Sequence, residues 1–447
     1  MTAVEQDPAV VAKAEMVNSA RWLKNWNPED QENWDHRLAW RTLWITTFTL
    51  LLSFSTWFLV SAIAPKLQGL GFQVTNDQLY WLAAMPGLAG GLLRLVWTFL
   101  PPMVGTRRLV TFSTLLLVIP LVGWFFALQN PATPYWVLMG LAFLAGIGGG
   151  NFSGFMPSTS YFFPRAKQGT ALGIQAGIGN YGVSVVQLLT PWLIGFAMVG
   201  SSLTYTAAGK APTQLWIQNA ALVYIPFVFA GALLAWFMLR SVPIISTLKQ
   251  QRDIFKNKHT WIMTAMYMMT FGTFSGFAAQ FGLLIKNQYG AFPGAPDPLK
   301  YLFLGALVGS VTRIAFGPLA DKFGGAVWTT VSGLGIAASL IFTSLYVVPT
   351  SVEQFTPFLW GMLAIFFFAG IGNASTFKQM PMIFQPRQAG GVIGWTSAIA
   401  AFGPFLFGVL ISIVTPRPFY IGVAVFCLIC VGLNVFYYQR KHAEVPC

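Results

Sequence analysis

The chain has 447 residues, of which 55% are hydrophobic and only 9% carry a formal charge. So little charge in so long a chain leaves no room for a soluble domain of useful size and places it among polytopic membrane proteins. A net charge of +13 could signal nucleic acid, but the basic residues alternate between loops, the pattern that orients a membrane protein and meets anionic lipid.

The first 41 residues are polar, with no apolar core behind a basic start, so no cleavable signal peptide is expected. Within this tail, NWNPEDQENWDHRLAWRTLW reads as an amphipathic helix lying on the membrane surface. Twelve apolar runs follow, each long enough to cross about 30 Å of hydrocarbon. The first six cover 43–64, 79–100, 109–128, 135–156, 169–199 and 215–239. After the basic stretch 241–259, the second six cover 261–285, 301–319, 327–348, 358–380, 389–414 and 419–438. Basic loops such as Arg107–Arg108, Arg165–Lys167 and Arg240–Lys258 alternate with loops holding only Lys66, Lys210 or Arg417. By the positive-inside rule both termini are then cytoplasmic. The expected layout is a tail (1–41), a six-helix bundle (42–240), a linker (241–259), a second bundle (260–438) and a short tail (439–447).

Two arginines interrupt the apolar pattern at matching places. Arg94 precedes Gly105 by the same interval at which Arg313 precedes Gly324. A cation at the bilayer centre costs about 2.5–3.5 kcal/mol on insertion scales, so each needs a partner or a task. No carboxylate lies in any predicted span. Seven of the 13 acidic residues are in the N-terminal tail, and Asp77, Asp253, Asp297, Asp321, Glu353 and Glu444 fall in loops or the C-terminal tail. The expected partner is therefore a transported anion. A guanidinium offers planar, permanently charged donors that suit a small planar oxyanion. The alternative is that the arginines pair with backbone carbonyls or snorkel.

A second correspondence makes the halves a repeat. GNFSGFMPSTSYFFPR answers GNASTFKQMPMIFQPR, and the interval from Asn151 to Pro164 equals that from Asn373 to Pro386. Two homologous bundles facing each other would bring Arg94 and Arg313 together across one central cavity. Asn180, an amide within a glycine-rich span, can either donate to an oxyanion or bond a neighbouring helix. Cys427 and Cys430 have C-x-x-C spacing inside the last span but no histidines to accompany them, so packing is expected and no metal or cofactor. No nucleophile–base pair appears, so the chain is not expected to be an enzyme.

GPLADKFGG, residues 317–325, resembles the G-x-L-x-D-[RK]-x-G loop of the major facilitator superfamily. That resemblance implies an all-α fold of twelve transmembrane helices in two pseudo-symmetric six-helix bundles, with Asp321 and Lys322 at a gate. The first half has Pro102 where Asp321 stands. AGIGNYGVS (176–184), GIGNASTFKQMPMIFQPR (370–387) and the stretch from Arg41 to Arg94 resemble the nitrate/nitrite porter family, NarK type, along nearly the whole chain. Ala400 and Pro404 depart from family glycines, which bears on how far that helix slides.

The resemblance implies alternating-access transport of nitrate and nitrite across the inner membrane by a monomer. It tips Asn180 toward substrate, gives Phe152 and Phe271 as rings enclosing the anion, and gives Tyr267 as a hydroxyl donor. Lacking an intramembrane carboxylate or imidazole relay, the carrier is expected to exchange nitrate for nitrite. Lys378 is the one unexplained titratable group within a span. It reads as a snorkelling lysine, an anion guide or a proton carrier in a symporter. A carrier of another small anion, such as an organic phosphate, is the remaining alternative.

Overall fold

The computed structural model describes residues 22–23, 26–30, 34–207, 211–242 and 252–447. Most of the N-terminal tail, and residues 243–251 of the linker 241–259, lie outside the described residues. Among those described, twelve helical rods account for nearly everything. In the first half they are α1 (His36–Leu70), α2 (Asn76–Trp97), α3 (Thr106–Ala127), α4 (Tyr135–Ser160), α5 (Arg165–Leu193) and α6 (Asn219–Met238). In the second they are α7 (Lys258–Tyr289), α8 (Pro298–Ala320), α9 (Gly325–Thr343), α10 (Val352–Ile383), α11 (Gln388–Ile413) and α12 (Pro416–Gln439).

Eleven rods are long and apolar enough to span a membrane by length and hydropathy alone. α5 has the length, at 29 residues, but buried Gln175, Asn180 and Gln187 lower its hydropathy. Those amides face protein rather than lipid: Gln175 donates to the Phe155 carbonyl at 3.3 Å, and Gln187 to Ser61 and to the Ala278 carbonyl, each at 2.9 Å. Large side chains such as Trp136, Trp192, Phe237 and Trp360 cover the outside, as expected of surfaces solvated by lipid.

The repeat is visible in the backbone. Gly105 and Gly324 both have positive φ, 81° and 91°, at the breaks before α3 and α9. A side chain would be strained there, which accounts for glycine at both positions. The halves differ just before the break. α8 runs into a helix that continues to Phe323, whereas Pro101 and Pro102 start a separate short helix, Pro101–Val104, after α2 has ended. Gly317 has open space where a Cβ would stand, so of the loop's glycines it is Gly325, packed on Gln379 and Ser375 of α10, that permits close approach.

Two sequence expectations are corrected. The fifth rod ends at Leu193, and the residues beyond it form an antiparallel pair, Leu203–Tyr205 with Thr213–Leu215. This hairpin rests on the end of α1, where Tyr205 lies 4.4 Å from the Lys66 ammonium. The tail before α1, where described, is not a helix. Asn27-Pro28 opens a turn closed by Asn27 Oδ1 accepting from Glu29 N at 3.1 Å, the local competition that Asn and Pro impose on helices. α1 starts only at His36, capped by Asp35. The preceding residues form a strap: Trp26 and Trp34 donate to the Tyr161 and Phe162 carbonyls, each at 2.9 Å.

Glycines set the spacing near the centre. Trp57 of α1 donates to the Pro86 carbonyl at 2.8 Å, and its ring fits between Gly90 of α2 and Gly149 of α4. A Cβ at either glycine would come within 2.9 or 2.6 Å of the indole. Overpacking of this kind typically costs about 1–3 kcal/mol. Gly90→Val is therefore expected to lower the unfolding temperature of the purified protein in detergent, measured by intrinsic fluorescence. An unchanged temperature would mean that Trp57 is free to move aside.

Candidate functional site

Helix geometry places Arg313 near the middle of the membrane, and the repeat puts Arg94 at the matching level. The interval from Arg313 to Gly324 amounts to roughly 16 Å of α-helix, about half the hydrocarbon thickness. Both arginines are buried, Arg94 at 0% and Arg313 at 4% exposure. In this conformation neither guanidinium reaches solvent from either side.

Their surroundings differ. Arg94 is held by two charge-assisted hydrogen bonds, Nε to the Gly149 carbonyl and Nη1 to the Ser397 carbonyl, both 2.8 Å. The first acceptor belongs to its own bundle and the second to α11 in the opposite one. Its carbon Cζ lies 4.6 Å from the Phe152 ring centre, 5.2 Å from Trp57 and 5.3 Å from Phe271. Such a contact is worth about 0.5–1 kcal/mol when exposed and about 2 kcal/mol when desolvated, as here. The carbonyl pairing weighed as an alternative is thus present, yet it does not exhaust the group: Nη2 is buried without a partner. Arg313 stacks on Phe377 at 4.9 Å, and its Nη1 is also buried without a partner.

The aromatic residues close the space between them. Phe152 of α4 meets Phe377 of α10 with ring centres 6.4 Å apart, joining the bundles. Tyr267 and Phe271 lie in nearly parallel planes, 7° apart with centres at 5.3 Å. They can do so because α7 carries a π-helical turn, Met268–Gly272, between two α-helical segments. π turns are rare and favour functional sites. Tyr267 also packs on Phe377 at 5.0 Å. Its hydroxyl is buried close to both arginines and comes nearest to a bond with Arg313, but it completes no hydrogen bond of full geometry.

Asn180 is fully buried, with neither side-chain atom bonded. It shares a face of α5 with Ser184, whose hydroxyl donates to the Phe303 carbonyl at 3.1 Å, and with Gln187. That face looks across to α7 and α8 of the other bundle.

Six residues expected at the site, Arg94, Arg313, Tyr267, Phe152, Phe271 and Asn180, thus lie buried where the bundles face each other. Lys322 and Lys378 are not among them. Lys322 is exposed beyond the end of α8, its ammonium 5.3 Å from the Phe323 ring, and the Asp321 side chain lies outside the described residues. Lys378 is half-buried and directly follows Phe377, about 100° round the helix from it. Sequence reading missed Phe377, Trp57 and the carbonyls of Gly149 and Ser397. Phe377 could have been found from Asn373 one turn earlier. The Gly149 carbonyl is reachable because three successive glycines, Gly148–Gly150, leave that backbone bare.

Contacts join the two bundles toward both ends. Toward the hairpin end, Lys66 of α1 pairs with Asp297 of the second half at 3.1 Å. Lys286 of α7 also bonds Gln68. Toward the other end, Gly394 of α11 faces the Thr98 side chain.

Comparison with known proteins agrees with this architecture. Residues 44–401 match the Major Facilitator Superfamily. The chain is 60% identical to the probable nitrate/nitrite antiporter NarK2 of Thermus thermophilus, covering 97% of this chain and 100% of that protein. It is 34% identical to the nitrate/nitrite transporter NarU of Escherichia coli, covering 95% and 97%. Among solved structures, the bacterial homolog of the human lysosomal transporter Spinster, inward-facing and occupied, superposes with a TM-score of 0.62. That alignment covers 88% of this chain and 95% of the other at 15% identity, and supports the fold alone.

The incompletely bonded hydroxyl of Tyr267 allows a test with opposite signs. An unpaired buried polar group costs about 1–3 kcal/mol, so Tyr267→Phe should leave the anion-free protein as stable as the wild type or more so. The same change should reduce the rise in unfolding temperature produced by a saturating small oxyanion. Lower anion-free stability with an unchanged anion effect would show a structural hydroxyl instead.

Proposed function

The chain belongs to the nitrate/nitrite porters of the major facilitator superfamily, and from that premise we propose that it exchanges nitrate for nitrite by alternating access. The observation that carries the reading is the pair of buried guanidiniums, one from each bundle, each keeping an unpartnered nitrogen. A planar monoanion between them would receive donors from both bundles at once. Arg94 and Arg313 bind it, Asn180 and Tyr267 add hydrogen bonds, and Phe152 and Phe271 form the walls of the slot.

Bridging both bundles is also what couples binding to motion. The moving units are residues 42–240 and 260–438, joined by 241–259. Access from one side requires the Lys66–Asp297 pair to part, and access from the other requires Phe152 to leave Phe377. Asp321 and Lys322 are assigned to the gate at the second opening. With two fixed positive charges and no anion, mutual repulsion opposes closure of the site, so the empty carrier reorients slowly. One anion lowers that barrier. Swapping one monovalent anion for another is electroneutral and needs no proton relay. No aspartate or glutamate is fully buried among the residues whose burial is described.

The alternation of basic loops supports cytoplasmic positions for both termini in a bacterial inner membrane. The working unit in this reading is a monomer.

Arginine geometry is tested by Arg94→Lys and Arg313→Lys. Lysine keeps the charge but not the planar two-point contact. Each variant is expected to insert normally and lose nearly all nitrate uptake in proteoliposomes; wild-type uptake in either would remove that arginine from the site.

Coupling is tested by loading the same vesicles with nitrite. Internal nitrite should accelerate labelled nitrate entry about tenfold or more, with little response to an imposed pH gradient. Uptake driven by the pH gradient without internal nitrite, and lost in Lys378→Gln, would replace exchange with proton symport. A wild-type protein that moved phosphate esters but not nitrate would replace the substrate.

A further inference from the structure

We propose that Asn373 of α10 is a further donor to the bound anion and sets the preference of the site for nitrate over nitrite. The inference rests on the nitrate/nitrite reading and deepens it.

Asn373 is fully buried, and neither Nδ2 nor Oδ1 has a partner. Burial without a bond is unfavourable for an amide, so its retention calls for a cause. The repeat shows what a structural amide looks like here. Asn151, its counterpart in the first half, donates to Ser53 Oγ at 2.9 Å and to the Ser113 carbonyl at 3.3 Å. In the second half that arrangement is dismantled. Ser275 follows Ser53 by the same interval that separates the two asparagines, yet it donates to the Gly272 carbonyl at the end of the π turn. Ser332 follows Ser113 by the interval that separates the two arginines, and it donates to the Phe368 carbonyl at 2.7 Å. The Asn373 amide is left without the interhelical bonds that tie down its counterpart.

Its direction follows from helix geometry. Asn373 precedes Phe377 by one turn of helix, so the two share a face, about 40° apart. Phe377 touches Arg313, Tyr267 and Phe152. The neighbouring Gly372 packs on Thr270 of the π turn, which brings this level of α10 against the segment that displays Tyr267 and Phe271. Asn373 therefore faces the same enclosed space from the second bundle that Asn180 faces from the first. α11 supplies no equivalent of Asn180, since the corresponding stretch of the repeat reads Ala400, Ala401 and Phe402.

Counting donors gives the specificity. Donor groups without a full-geometry hydrogen bond on the facing helices include Arg94 Nη2, Arg313 Nη1, Tyr267 Oη, Asn180 Nδ2 and Asn373 Nδ2. Each oxygen of an oxyanion accepts along about two lone-pair directions. Taking one hydrogen bond from each group, the first four fill the four acceptor directions of nitrite's two oxygens. Nitrate has a third oxygen and can use the fifth. Losing the Asn373 donor should therefore weaken nitrate and leave nitrite nearly unaffected, a selectivity that a purely structural amide would not produce.

The test is Asn373→Leu, close in size and without hydrogen-bonding capacity. It is assayed in proteoliposomes for nitrate and nitrite entry against saturating internal nitrite. The KM for nitrate is expected to rise about tenfold and that for nitrite less than twofold. Equal rises for both anions, or none for either, would overturn the proposal. Should the leucine variant fail to insert, Asn373→Ser gives the second reading through anion-induced thermal shifts in detergent. Nitrate should stabilise it less than it stabilises the wild type, and nitrite equally; a common loss or no loss overturns the proposal. Wild-type vesicles that exchange neither anion would instead sink the functional reading itself.

Discussion

Two permanent positive charges are enclosed in the centre of this protein with no carboxylate paired to them among the described residues, and the arrangement around them follows from that constraint. Arg94 is made tolerable by backbone carbonyls and aromatic faces, and Arg313 by the face of Phe377. Aromatic rings suit this purpose because they attract a cation without removing its charge. A buried aspartate would have paired an arginine more strongly and left less for an incoming anion. The partial compensation keeps each guanidinium in place while leaving one of its nitrogens unpartnered.

Holding that arrangement takes irregular backbone in the middle of otherwise regular rods. The π turn of α7, the break of α11 at residues 401–402 and the glycine run in α4 come together around the arginines. Gly403 of α11 packs onto the backbone of Gly272, so the π turn and the break support each other. Gly87 and Gly91 of α2 meet Pro404 and Phe402 of the same broken helix. Irregular backbone at membrane depth is tolerated where it is buried in protein or lines a cavity. Here it also sets the contacts along which the bundles would slide. The Arg94–Ser397 bond crosses that sliding surface, tying anion binding to the position of α11.

Much of this was legible in the sequence, for a physical reason. Charge is so costly in an apolar span that Arg94 and Arg313 stand out unaided, and their equal spacing to Gly105 and Gly324 reveals the repeat. Family resemblance supplied Tyr267, Phe152 and Phe271, which sequence alone could not separate from the many other aromatic residues in the core. What stayed hidden depends on tertiary geometry. Nothing in the local sequence shows that α7 makes a π turn, or that Phe377 bridges the bundles. Nor does it show that Asn151 is tied off while Asn373 is not. The tail differs from its expected form because tryptophans at helical spacing suggest an amphipathic helix. Asn27-Pro28 makes a turn instead, and the indole donors find carbonyls on the loop between α4 and α5.

The most direct test of the central claim is an experimental density map of the protein prepared in saturating nitrate. A planar density within hydrogen-bond distance of Arg94 Nη2 and Arg313 Nη1, enclosed by Phe152 and Phe271, is the expected result. Nitrate bound elsewhere, for example against Lys66 and Lys286 at the hairpin end, would contradict it, as would two guanidiniums fully occupied by backbone carbonyls.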